Sequence, residues 1–314
     1  MTAKTDRLVT LFGGGGFIGR YVAQALYAEG ARVRIAAREP KRAYFLKPLG
    51  GLGQTQFVRA DITDPASVAA AVTGADAVVN LVGVFKGDLK RVHVDGARNV
   101  AEAAAAAGAR ALVHISAIGA DPKSESHYGR TKGEGEAAVK AAFPTATVVR
   151  PSIAFGPEDD FVNKFARMAQ LMPAIPVLRG SWQVQPLFVA DLGKAIAAAT
   201  SNAGTHGGKI YELAGPQVMT MHQLNEWIVR ATGRNRAVFD IPDAIGSMIA
   251  RLGFLPGAPI SWDQWLMLRQ DSVASGALPG FEAFGLKPAP LSAVAENWLA
   301  IYRRHGRFAA PSAP

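Results

Sequence analysis

Tyr128 and Lys132 stand four residues apart at the start of a helical run, so their side chains share one face of that helix. A lysine ammonium beside a phenol favours the phenolate and draws the tyrosine toward a range useful for proton transfer. Ser116 closes an apolar run just upstream, where its hydroxyl can hydrogen-bond a substrate oxygen. Lys132 is also placed to hold a ribose. Tyr-x-x-x-Lys alone is a cheap coincidence in a chain of 314 residues. Its position directly after a serine-bearing strand gives it weight.

A second group lies near the start of the chain. The β-favouring run 8–12 ends in Gly13-Gly14-Gly15-Gly16, passes through Phe17-Ile18-Gly19, and enters an amphipathic segment over 21–29. Gly13, Gly16 and Gly19 have the spacing G-x-x-G-x-x-G. Glycines allow a turn with positive φ and bring backbone N–H groups close to a pyrophosphate, and the helix N-terminus adds positive potential. Among 33 glycines the pattern alone says little. Between a strand and a helix it reads as a dinucleotide-binding turn. The second strand then ends in Ala36-Ala37-Arg38-Glu39-Pro40-Lys41-Arg42. Arg38 stands where an acidic side chain would bind the ribose of NAD, and a guanidinium there favours the 2′-phosphate of NADP(H) over NAD(H). Glu39 remains a competing contact for a ribose hydroxyl. Asp61-Ile62, after the third strand, can flank the adenine; Asp61 can equally cap the next helix.

These residues need a scaffold, and the apolar pattern supplies one. Further strands are predicted at 32–36, 56–60, 76–83, 111–116 and 146–150, with helical patterns between them. The clearest helix is 94–107, ending at Gly108. Strands alternating with helices predict an α/β, Rossmann-type, doubly wound parallel sheet. The dinucleotide-binding domain is expected over 1–150, its sheet completed by segments near 150–156 and 184–191. After Pro151 the rhythm changes, and 151–306 reads as a smaller, more helical substrate or partner lobe in which 187–189 and 209–213 are possible strands. Residues 307–314 read as a frayed tail.

Composition narrows the function classes. There is no cysteine, which excludes disulfides, thiolate zinc sites and thiol catalysis. His114, His127, His206, His222 and His305 show no metal-ligand spacing, and no metal is expected. Residues 1–7 do not read as a secretory signal, and no run reaches the roughly 18 apolar residues of a membrane span. A cytoplasmic protein is expected. The formal net charge is +9, but the basic residues are scattered and no nucleic-acid motif accompanies them, so nucleic acid is not an expected partner. Over 245–270, Met248, Leu252, Phe254, Trp262 and Trp265 are interleaved with Arg251 and Arg269. This stretch can contact anionic lipid or a partner subunit, or pack against the protein's own core.

Together, Gly13-x-x-Gly16-x-x-Gly19, Asp61, Ser116, Tyr128-x-x-x-Lys132, the run 150–156 and the run 186–192 resemble an extended or atypical short-chain dehydrogenase/reductase over most of the chain. The stretches 46–54 and 155–166 are not general to that superfamily. They resemble the nucleotide-binding accessory subunit of respiratory complex I, the alpha subcomplex subunit 9 family. The resemblance implies NADPH held as a structural ligand, complex I subunits near the quinone arm as partners, and a peripheral place on the cytoplasmic face of the inner membrane. The cofactor-binding set is then Gly13, Gly16, Phe17, Ile18, Gly19, Arg38, Asp61, Ile62, Val82, Gly83, Tyr128, Lys132, Pro151 and Ile153. One departure bears on activity: His93 stands where extended reductases carry an asparagine. The alternative is an active NADP-dependent oxidoreductase or nucleotide-sugar epimerase or dehydratase, with Ser116, Tyr128 and Lys132 as its catalytic set.

Overall fold

The computed structural model describes residues 7–255, 257–304 and 306. His305 and the expected tail over 307–314 lie outside the described residues, as do residues 1–6. The chain divides into two compact units: 1–151 with 189–213 and 275–287, and 152–188 with 214–274 and 288–314.

The first unit is built on seven strands: β1 (Leu8–Phe12), β2 (Arg32–Ala37), β3 (Thr55–Arg59), β4 (Ala77–Asn80), β5 (Ala111–Ile115), β6 (Thr147–Pro151) and β7 (Ile210–Leu213). Their order in the sheet is β7-β6-β5-β4-β1-β2-β3, and every neighbouring pair is parallel. β1, β4 and β5 are buried at every position, which is why they read as unbroken apolar runs and do not alternate. Helices cover both faces. α1 (Phe17–Ala28) packs with α5 (Val189–Ser201), while α2 (Pro65–Val72), α3 (Ala97–Ala106) and α4 (His127–Ala142) form the other layer. Val68, Val72, Val100, Ala104, Leu112 and Val139 share one core cluster beneath that layer. Each fully buried leucine or valine there contributes about 1.5–3 kcal/mol relative to exposure.

The strand order reverses between β1 and β4, which leaves a crevice beyond their carboxyl ends. The glycine turn follows β1, and Leu81–Gly83 follows β4.

Several expected boundaries differ. The strand predicted over 76–83 stops at Asn80, because the Asn80 side-chain oxygen accepts the Val82 N–H at 3.1 Å and curls the chain out of the ladder. The helix predicted over 94–107 is α3 preceded by a π-helical turn over Arg91–Gly96. Its end is as expected. Gly108 has φ +70° and the Ala109 N–H returns to the Ala104 carbonyl, a Schellman closure. The helix after β3 is capped by Asp64, whose side chain accepts from the Ala66 N–H at 3.1 Å, and not by Asp61.

The sheet is not completed near 184–191. Leu187–Phe188 pairs only with Ala154–Phe155 in a separate two-stranded ribbon, and β7 takes the edge position beside β6. A two-residue strand offers too little ladder to extend the sheet, whereas Ile210–Leu213 brings four residues into register.

The second unit carries helices over Val162–Leu171, Met221–Ala231, Asp243–Arg251 and Trp262–Met267, with a parallel pair of Ala174–Leu178 and Ala237–Ile241. Its main core gathers Phe155, Val162, Ile175, Leu224, Ile228 and Trp298. The 245–270 stretch is part core and part surface. Trp265 is buried with Ala250 and Ile260, while Met248, Leu252, Phe254 and Leu255 are exposed.

Candidate functional site

The glycine turn is shaped by backbone crowding. Gly13 has φ +80°, a conformation L side chains rarely adopt, and its carbonyl accepts the Gly16 N–H at 3.0 Å. A Cβ on Gly19 would overlap the Gly13 carbonyl oxygen and lie 2.6 Å from the Gly14 backbone. Gly19 therefore lets the first turn of α1 sit directly on the loop. Gly16 is exposed and no side chain caps α1, so the first N–H groups of the helix remain open for an anion. Phe17 and Ile18 are the first two residues of that helix, and the Phe17 ring meets Tyr21 edge-on.

Arg38 directly follows β2, exposed and within electrostatic reach of Asp61. Glu39, the competing contact, is instead paired with Arg42 at 2.9 Å. Asp61 accepts the Thr63 N–H and hydroxyl, each at 2.9 Å. The backbone bond from Thr63 is the main cause that holds this carboxyl below its usual range. The Ile62 side chain is buried under the π-helical turn, where a Cβ on Gly96 would collide with it. A Cβ on Gly13 would come within 3.4 Å of Val82, and one on Gly83 within 3.9 Å of Lys132 Nζ, so these predicted residues line one crevice. Pro151 ends β6, and its carbonyl accepts the Ile118 N–H at 3.1 Å. Ile153 belongs to the second unit and packs against that unit's core.

The Ser-Tyr-Lys group is assembled differently from the simplest expectation. Lys132 is buried, and its Nζ donates to the Ile115 carbonyl at 2.6 Å. Burial lowers the ammonium to about 8, while the nearby Glu136 charge pulls the other way. The Tyr128 phenol is not drawn down: burial pushes it up to about 12. Phe85 stacks on the Tyr128 ring with centroids 4.7 Å apart and planes inclined by 15°. Ser116 Oγ is buried and has no hydrogen-bond partner, which suits a hydroxyl awaiting an oxygen supplied by a ligand.

His93 sits on the π-helical turn and reaches into this cluster. Its Nε2 accepts the Val84 N–H at 3.0 Å, so Nδ1 carries the proton and donates to Thr131 Oγ1 at 2.9 Å. The Thr131 hydroxyl in turn donates to the His127 carbonyl at 2.8 Å. Burial, reinforced by the Lys132 charge, holds His93 at about 4, so the ring stays neutral. At the end of β4, Asn80 Nδ2 faces His114 Nδ1 of β5 at 3.4 Å, and burial keeps that imidazole neutral as well. The open glycine turn, the exposed guanidinium after β2 and the unpartnered Ser116 hydroxyl fit a nicotinamide dinucleotide laid across the crevice. No group of three histidine, aspartate or glutamate side chains among the described residues is placed to hold a metal.

Residues 13–159 match the NAD(P)H-binding family of domains. The alpha subcomplex subunit 9 of mitochondrial NADH dehydrogenase [ubiquinone] 1 from Rattus norvegicus is 34% identical over 310 residues, covering 96% of this chain and 81% of that protein. The chain belongs to the alpha subcomplex subunit 9 family. The 40 kDa subunit of mitochondrial NADH-ubiquinone oxidoreductase from Neurospora crassa is 30% identical over 312 residues, covering 97% of this chain and 82% of that protein. Among solved structures, an NADPH-dependent quinone oxidoreductase from Escherichia coli complexed with NADPH shares the fold. Its TM-score is 0.75 at 22% identity, over 93% of this chain and 99% of that one.

In this subunit 9 family member, sequence reasoning missed three contributors to the site. Phe85 carries no motif, and only its exposure on a loop marks it. Thr131 lies inside the Tyr-x-x-x-Lys spacing and was readable there as a hydroxyl beside the tyrosine. The buried pair Glu136–Arg150, bonded at 2.7 and 2.8 Å, ties α4 to β6 behind Lys132. Two charged residues on separate elements gave no sequence signal.

Proposed function

We propose that this protein holds NADPH as a structural ligand and serves as an accessory and assembly subunit of a complex I-type NADH:ubiquinone oxidoreductase. The reading rests chiefly on similarity to mitochondrial subunit 9 that runs through 96% of the chain, both units included. The site geometry agrees with a held ligand: Tyr128 is covered, its phenol stays protonated, and Lys132 is bound to a backbone carbonyl. Gly13, Gly16, Phe17, Ile18 and Gly19 would hold the pyrophosphate, Arg38 the 2′-phosphate, and Asp61 the adenosine side. Val82, Gly83, Tyr128 and Lys132 would line the nicotinamide side. When bound, the nicotinamide is a hydride donor. No helix among the described residues is long and apolar enough to cross a membrane, so docking on the complex would be peripheral. The exposed apolar crest of Met248, Leu252 and Phe254 is the surface assigned to that docking. Recovery of complex I subunits with the tagged protein from solubilised membranes supports the reading. Recovery of none refutes it.

A second reading is favoured by one observation, the unpartnered Ser116 hydroxyl. In an active reductase it would hold a substrate carbonyl oxygen while Tyr128 Oη–H donates the proton. Purification with bound NADPH separates the two. NADPH fluorescence that survives prolonged incubation with quinones, sugars and simple carbonyls is the expected result. Its loss with one substrate class, abolished by Tyr128→Phe, would establish the reductase.

Cofactor choice is tested separately. Arg38→Asp is expected to weaken NADPH about a hundredfold and NADH less than about threefold in fluorescence titrations, the loss of one charge-assisted phosphate contact. Equal losses for both nucleotides would remove Arg38 from the phosphate site.

A further inference from the structure

We infer that Phe85 is a built-in cover that closes the face of Tyr128 to a second substrate, and that His93 is the positioning residue that holds it shut. The inference deepens the structural-ligand reading above and rests on it for the role of Tyr128.

Phe85 is 59% exposed on the irregular segment after β4, so it is not there to fill the core. What it meets is the Tyr128 ring, nearly parallel at 4.7 Å, where a planar carbonyl compound would otherwise lie. The loop is tethered one residue away: the Val84 N–H donates to His93 Nε2 at 3.0 Å. The other imidazole nitrogen donates to Thr131 Oγ1 at 2.9 Å, and Thr131 is on the same helix as Tyr128. The His93 ring also meets Tyr128 edge-on, with centroids 5.4 Å apart. One neutral imidazole therefore bridges the cover and the helix it covers. An asparagine at position 93 is too short to make both bonds.

His93 is itself fixed by the fold. It lies on the π-helical turn, a local widening often found at functional sites. α4 approaches that turn so closely that a Cβ on Gly135 would overlap the His93 carbonyl oxygen. The cover is thus anchored to rigid elements at its base and carries an exposed ring at its tip.

Nitration of Tyr128 by tetranitromethane in the full-length protein, quantified by peptide mass spectrometry, reads the cover without requiring turnover. Phe85→Ala is expected to accelerate it about tenfold, as for a site freed from local protection. His93→Asn should accelerate it in the same direction, and Phe85→Tyr, which keeps the stack, should leave it unchanged. NADPH affinity is measured alongside in all three variants, and nitration is compared at equal nucleotide occupancy, because Phe85 and His93 border the predicted nicotinamide side. Phe85→Ala should also gain reduction of an aromatic aldehyde. The aldehyde carbon receives the hydride of NADPH and its oxygen the Tyr128 proton, giving the alcohol and NADP⁺, and the phenolate regains its proton from solvent. The gain should vanish in Phe85→Ala/Tyr128→Phe. Equal nitration of Phe85→Ala and wild type, or no gain in aldehyde reduction by a variant that has NADPH bound, overturns the cover. Wild-type protein that reduces the aldehyde as fast as the variant overturns both the cover and the structural ligand. Failure of every form to bind NADPH sinks the nucleotide reading, while nitration still decides for or against the cover.

Discussion

Gly19→Ala is expected to abolish detectable NADPH binding and to destabilise the fold by about 2–4 kcal/mol, the upper range for overpacking against backbone. The added methyl would overlap the Gly13 carbonyl oxygen and fall 2.6 Å from both the Cα and the carbonyl carbon of Gly14. Backbone on both sides leaves no flexible side chain to give way. Relief requires α1 to slide off the glycine turn, which moves the open N–H groups away from the position where a phosphate would rest. Gly30→Ala is the matched control. That glycine has φ +81° but open space around it, so only local strain of about 1 kcal/mol is expected, with nucleotide binding intact. Thermal melts with and without NADPH, paired with fluorescence titration, separate the two variants. Wild-type affinity in Gly19→Ala would mean that the turn is not the phosphate cradle.

Arg150→Met is expected to cost about 3–5 kcal/mol in urea unfolding, the usual consequence of stranding one partner of a buried ion pair. Arg150 holds Glu136 through two nitrogen–oxygen bonds, and its third nitrogen lies 4.0 Å from Glu212. Glu136 and Glu212 are each nearly buried, with side chains 7% exposed. Glu212 in turn accepts the Ser275 N–H and hydroxyl at 2.6 and 2.7 Å, which fastens the returning segment 275–287 to β7. Losing the guanidinium removes the counter-charge that both carboxylates share. Glu136 keeps the nearby Lys132 charge, and Glu212 keeps its two bonds from Ser275. The double replacement Glu136→Met/Arg150→Met should recover at least about half of the loss, since an apolar pair avoids stranding either charge. Additive losses in the double variant would show that the pair is not coupled.

How much of this was visible beforehand depended on the range of the interaction. The glycine turn, the runs that became β1, β2 and β5, and the Schellman end at Gly108 are local patterns, read within a dozen residues. The end of β4 was missed because one side chain, Asn80, ends it by bonding two residues ahead. The seventh strand was misplaced because 187–188 and 210–213 look equally β-favouring in isolation. Only pairing beside β6 separates them. At the site, the spacing of Tyr128 and Lys132 was legible, but the expected effect of one on the other was not. The lysine is engaged by the Ile115 carbonyl, and the tyrosine is buried, with Phe85 stacked on its ring.

The sequence by itself determined the parallel α/β architecture, the glycine turn between β1 and α1, and the family. Each follows from periodicity, from glycine's conformational freedom or from motifs contiguous in the chain. Tertiary structure alone decided what Tyr128, Lys132 and His93 are bonded to, and hence their protonation. Those states are set by desolvation and by partners brought together from different strands and helices. Neither burial nor long-range pairing is written in the spacing of residues along one segment.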